Sequence, residues 1–381
     1  MIKHIGKFLT VAALGAVLVG CGSSVEEVEP NPLVKFNAER SIKQLWSRDI
    51  GSNLGDKYHQ LMPSISADAI FATDADGVVS SYTLSDGKLR WKRDLDTQII
   101  GGVGSSSQVS VVTTLNGDAI ALDSQNGDVL WQVPVGGEVV SQPQLNNEIV
   151  VLQLVSGDIV ALEVSSGEQR WVYSAQQPAL TLRGNGAPLV AYDATLAGLD
   201  SGRFVALDNL SGDVLWQKRV NIPQGKSDIE RLTDLDGRPI LYQNIIYISG
   251  YRGELVALNP FNAEILWRKP YSSYRGLAGG NNSIYLSEAG DIVVAIDVQT
   301  ASEMWRQDQL LNRKLTSPAV LGKQIVVGDQ QGYLHFMSPE DGRFVARYKI
   351  GSPVLGDMLV RDNVLYVLSN SGRLSALAFK Q

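Results

Sequence analysis

A stretch ending in tryptophan recurs along this chain. It reads ALDSQNGDVLW up to Trp131, ALEVSSGEQRW up to Trp171, ALDNLSGDVLW up to Trp216, ALNPFNAEILW up to Trp267 and AIDVQTASEMW up to Trp305, with a looser copy, SYTLSDGKLRW, up to Trp91. One further copy, FMSPEDGRFVA, sets Ala346 at the tryptophan position. Gly77, Gly117, Gly157, Gly202 and Gly253 lie 14 residues before their tryptophans, and Gly332 lies 14 before Ala346. A fixed period of about 40 residues over most of a chain means a repeat architecture. Inside one unit the apolar runs are short, as in Ile149–Leu152 and Ile159–Leu162, and are broken by Ser156-Gly157-Asp158 and Ser165-Ser166-Gly167. That pattern is strand, turn, strand. A small turn-rich sheet cannot bury both faces alone, but copies stacked radially can, so the expected fold is an all-β propeller of four-stranded antiparallel blades.

The repeat positions 46, 91, 131, 171, 216, 267, 305 and 346 give eight blades. Trp46 follows no upstream copy, while Gly372–Ala378 supplies the first half of a motif that is never finished. The two fragments complement each other. The strand around residues 44–50 is therefore expected to close the last blade as its outermost strand, which removes open sheet edges.

Residues 1–20 carry Lys3 and Lys7 followed by an apolar run, and read as a signal peptide too short to span a membrane as a mature helix. The segment ends Leu18-Val19-Gly20-Cys21, which resembles a bacterial lipobox. By that resemblance Cys21 is the lipidation site, and Gly22 after it implies the outer membrane, with the body on the periplasmic face. Residues 21–39 contain Pro30 and Pro32 and read as a flexible tether, and residues 40–381 as the propeller. The formal charge is -7, and removing Lys3 and Lys7 makes the remainder more acidic still. An acidic body argues against nucleic acid as a partner. With one cysteine there is no disulfide framework.

The unit of Gly, Ala-Leu-Asp, Gly and Trp resembles the repeat of quinoprotein dehydrogenases. That resemblance implies that Trp46, Trp91, Trp131, Trp171, Trp216, Trp267 and Trp305 pack between blades. The acids of the motif, among them Asp123, Asp208 and Asp297, precede turns whose amides a carboxylate can accept. Lipobox, tether and eight repeats together are similar to the lipoproteins of the outer-membrane β-barrel assembly machinery. The segments 180–184, 231–236, 315–318 and 326–335 also match that family. The resemblance implies a non-enzymatic scaffold that binds the periplasmic POTRA domains of BamA and assists insertion of outer-membrane proteins, with unfolded outer-membrane proteins as a further candidate partner.

An enzyme of the dehydrogenase kind is the alternative, as is a polysaccharide-binding propeller. The dehydrogenases typically use a vicinal cysteine pair, a catalytic acid and calcium ligands. Here the single cysteine is taken by the lipobox, and only His59 and His335 remain outside the signal segment. Asp74-Ala75-Asp76-Gly77 resembles the start of a calcium loop but lacks the later ligands. No catalytic, metal or cofactor site is expected.

Three tryptophan intervals exceed the rest: 46 to 91, 171 to 216 and 216 to 267. The excess falls between blades, and the last two intervals belong to adjacent blades. Long loops on a rigid scaffold are where binding is usually placed. By resemblance to the family's contact segments, Leu180, Leu182 and Arg183 on the first of these loops, and Asp234 and Asp236 on the second, are the partner-binding residues. Two alternating leucines beside an arginine suit an interface core and its edge. The open alternative is that the leucines are core and Arg183 pairs internally with Asp234 or Asp236, bracing the loops.

Overall fold

The computed structural model describes residues 28–51, 54, 61–175, 186–222, 235 and 237–380. Within them are eight antiparallel four-stranded sheets. Blades one to seven are built from consecutive strands over 64–94, 99–134, 144–173, 189–219, 240–269, 278–307 and 319–349. Blade eight combines Leu359–Arg361, Val364–Ser369 and Arg373–Phe379 with Ile42–Asp49, which pairs antiparallel to the last of these as the outermost strand. The eight-bladed propeller closed by the N-terminal strand is thus the fold expected from the repeat. Gly372, at a φ of 77°, lies so close to the Gly51 carbonyl that no side chain fits, and the Ile50 amide bonds the Gly372 carbonyl at 2.9 Å.

Burial falls from the middle of each blade outwards, which is why the apolar runs differ. Ile159–Glu163 in blade three is buried along almost its whole length, because blades cover it on both faces. The outermost strand Val129–Pro134 shows mainly Trp131 to the interior. Each outermost strand carries a register shift beside the repeat position. In blade two Leu122 faces Val129 and Ala121 faces Trp131, so Leu130 is the extra residue of a bulge. A bulge bends its strand and re-aims the next side chain. Here it turns the indole towards the neighbouring blade and leaves Leu130 half exposed. The same shift recurs beside Trp46, Trp91, Trp171, Trp216, Trp267, Trp305 and Ala346.

Each indole meets the turn between the third and fourth strands of the next blade. Trp91 Nε1 donates to the Ser124 carbonyl at 3.0 Å, Trp131 to Val164 at 2.9 Å, Trp171 to Asn209 at 2.9 Å, Trp216 to Pro260 at 3.0 Å and Trp305 to Pro339 at 2.8 Å. Trp46 does the same across the closure, to Leu84 at 2.9 Å. Trp267 packs in a cluster that includes Val298 of the next blade. A buried indole satisfies its one donor in this way while its body covers a large apolar area. Ala346 has no such turn to meet, because blade eight passes from its third to its fourth strand through the two ends of the described chain.

Residues 28–39 differ from the free tether the composition suggested. They run along blade seven as a strap. The Asn31 amide bonds the Leu311 carbonyl at 3.0 Å, and the Glu39 and Arg40 amides bond the Val345 carbonyl at 2.9 and 3.1 Å. Phe36 stacks at 5.6 Å on Phe344 beneath the Arg347 guanidinium. Two prolines set a strap as readily as a spacer, since they hold the chain extended and lower the entropy lost on docking.

Candidate partner-docking rim

The connections between blades share one rim with the turns between second and third strands. The pairing is visible where the Val155 amide bonds Glu138, Leu115 bonds Gln98, and Val220 and Asn221 both bond Gly202. The two longest connections between neighbouring blades, 174–188 and 220–239, leave from this rim on either side of blade four.

Their ends are fixed. Asn221 is buried, and its Oδ1 accepts the Glu254 amide of blade five at 3.2 Å. Leu235 is buried between blades four and five with Leu196, Val220 and Ile246. Its carbonyl abuts Gly198, where a side chain would collide, and the Gly198 carbonyl is held from blade three by Gln153 at 2.8 Å. Ala175 packs on the core of blades three and four, and Ala187 is buried. The second loop therefore spans residues 222–234 between fixed ends, a rigid base of the kind that carries binding loops. The expected contact residues Leu180, Leu182, Arg183, Asp234 and Asp236, and the expected lipidation site Cys21, lie outside the described residues.

The groups weighed for catalysis serve turns and packing. Asp74 Oδ1 accepts the Gly77 and Val78 amides at 3.1 and 2.9 Å, a turn rather than a calcium loop. Asp208 and Asp297 accept the amides of Leu210, Ser211, Gln299 and Thr300, and these bonds, led by those from Ser211 and Thr300, hold both carboxyls below their usual range. Among the described residues no group of three or more metal-ligand side chains converges.

Sequence reasoning missed a buried polar cluster under the strap. Arg313, 1% exposed, donates to Asp329 at 2.7 Å, to the Asn31 carbonyl at 2.8 Å and to Gln331 at 2.6 Å. Asp329 also bonds His335 Nε2 at 2.9 Å, and His335 Nδ1 faces Arg347 Nε at 3.1 Å. Arginine only donates, so Nδ1 is the acceptor and Nε2 carries the proton. The imidazole is neutral: burial, the largest influence, pushes its pKa down against the opposing pull of Asp329. Burial pushes the Asp329 carboxyl up, but His335, the Tyr333 amide and Arg313 together carry it below its usual value. Charge pairing of this completeness is what a buried arginine requires. Asp329 and His335 fall in one of the segments that set this chain apart from other propellers, and Arg313 lies just before another, so the sequence signal was present but unassigned.

A closed propeller with indole clamps between blades and two long connections leaving one rim defines a quinoprotein-like scaffold. The family described as outer membrane protein assembly factor BamB matches residues 75–307 and 289–381. The chain belongs to that family. The assembly factor BamB of Pseudomonas aeruginosa is 45% identical over 376 residues, covering 98% of this chain and 99% of that protein. The one of Escherichia coli is 33% identical, covering 93% and 96%. The crystal structure of BamB from Moraxella catarrhalis superposes with a TM-score of 0.81 at 28% identity, covering 89% of this chain and all of that one. A quinohemoprotein alcohol dehydrogenase from Comamonas testosteroni shares the fold alone, with a TM-score of 0.70 at 11% identity.

Proposed function

We propose that this protein is a non-enzymatic scaffold of outer-membrane β-barrel assembly, anchored to the outer membrane through Cys21 and docking on the periplasmic POTRA domains of BamA by the rim over blade four. The observation that carries the reading is end-to-end similarity to assembly factors, at 45% identity over 98% of the chain. The fixed loop ends at Asn221 and Leu235 support the choice of rim. Leu180 and Leu182 supply the apolar anchor and Arg183 a bidentate donor, with Asp234 and Asp236 on the neighbouring loop.

The test is a pull-down with BamA run beside thermal melts. Leu182→Ala and Arg183→Glu should lose the partner while melting within a few degrees of wild type. Variants that unfold in proportion to their loss of binding would assign these residues to loop bracing. The anchor has its own readout: Cys21→Ala should move the protein from the membrane fraction to the soluble periplasm, and unchanged fractionation would refute lipidation.

A further inference from the structure

A polar cavity of about 240 Å³ opens in the central channel. Its walls include Ser64, Ser105, Gln142 and Gln144 from blades one to three, Arg361 from blade eight and Arg238 arriving from blade five. Arg238 and Arg361 both line this space, and among the described residues no carboxylate does. That is unusual in a chain whose formal charge is -7.

Arg238 is the residue to explain. It is half buried, and among the described residues its one hydrogen bond is to Gln144 Oε1 at 2.7 Å, with no ion pair within 4 Å. Among the described residues Asp357 is the one acid that acts on it, from outside the lining. Burial pushes its pKa down, the mark of a cation held short of compensation. The neighbouring Gly237 backs onto the Arg275 carbonyl, and Arg275 Nε is itself buried without an acceptor. The amide of Gln142, by contrast, is fully committed: its Nε2 donates to the Pro63 and Val103 carbonyls at 3.1 and 2.7 Å. The channel wall is thus pinned, while Arg238 gives a single hydrogen bond to a described residue and Arg361 only a loose, exposed ion pair with Asp362 at 3.8 Å. A partly buried cation gains from a partner anion, and a planar guanidinium matches oxyanions through paired N–H donors.

We infer that the channel cavity is an oxyanion site, taking a carboxylate or a phosphate group between Arg238 and Arg361. The volume is several times that of one water molecule, so it admits such a group with part of its carrier. Of the Ser64 and Ser105 hydroxyls, bonded to each other at 2.7 Å, the accepting one keeps its own hydrogen as a further donor at the same level.

Calorimetric titration of the full chain in detergent tests this with two probes, inorganic phosphate and an end-blocked tetra-aspartate peptide. At least one should bind saturably, weaken with added salt, and bind at least tenfold more weakly to Arg238→Gln. Arg361 is exposed, so Arg361→Gln keeps the fold and should weaken binding severalfold even if the Arg238 variant fails to fold. Arg343→Gln, on the outside of blade seven, should bind as wild type. Binding of the peptide alone would identify a protein carboxylate as the occupant, and binding of phosphate alone a phosphate. Absence of saturable binding by both probes, or Arg361→Gln and Arg238→Gln binding as wild type, would overturn the assignment.

Discussion

Five of the seven tryptophans are buried, while Trp216 and Trp267 are only partly so. The difference follows the residue four before the repeat position in the next blade. Trp46, Trp91, Trp131, Trp171 and Trp305 lie on Gly87, Gly127, Gly167, Gly212 and Gly342. For Trp216 and Trp267 that place is taken by Ala263 and Ala301, at φ 55° and 54°. At Gly127, φ is 76° and a Cβ would come within 2.5 Å of the Trp91 indole. Left-handed backbone costs a non-glycine residue about 1–2 kcal/mol, and the lost contact adds to it. Ala263→Gly and Ala301→Gly should therefore stabilise the protein by roughly 0.5–1 kcal/mol each in denaturant titrations, after the looser unfolded chain is allowed for. Gly127→Val should destabilise by about 3 kcal/mol, since strain and overpacking act together. Gly136→Ala, where φ is 82° but nothing lies within 4 Å, should cost about 1 kcal/mol. Destabilisation by the Ala263 and Ala301 variants would show that the indoles are seated by something else. The tryptophan spacing was legible in the sequence because it repeats; the gap at 346 was legible too, but its cause, a missing turn next door, exists only in the closed propeller.

At the scale of elements, the strap and the cluster beneath it were not legible, because neither repeats. A proline-bearing acidic stretch looks alike whether it docks or not, and the decision rests on Phe36 meeting Phe344 and on Arg313 reaching the Asn31 carbonyl. The cluster has a pH signature. The His335 pKa is lowered in the folded state, so the unfolded chain binds the extra proton first. Its contribution to stability is complete above the ordinary histidine value of about 6.5 and is lost as pH falls below it. Asp329, also lowered, adds a loss in the same direction at more acid pH, below about 3.9. Stability measured by denaturant titration should thus decline from pH 6.5 towards 5. In His335→Gln, whose amide can still donate to Asp329 and accept from Arg347, that decline should flatten. A profile with the same slope in both proteins would remove His335 from the account.

For the whole molecule, the long loops were legible as interval lengths, 45 and 51 residues against 38–41 elsewhere between blades two and seven. Their rim was legible from blade geometry. The anchoring of the second loop by Asn221 and Leu235 was not, since each lies in a stretch without periodicity. The central claim is that this rim, and not the opposite one, meets BamA. Site-specific photocrosslinking in living cells tests it directly. A photoreactive residue at position 182 lies in the connection proposed to dock, and one at Tyr192, 91% exposed on the turn between the first and second strands of blade four, samples the rim opposite to the connections between blades. The account predicts a crosslink to BamA from position 182 and none from position 192. A crosslink from 192 with none from 182 would contradict it.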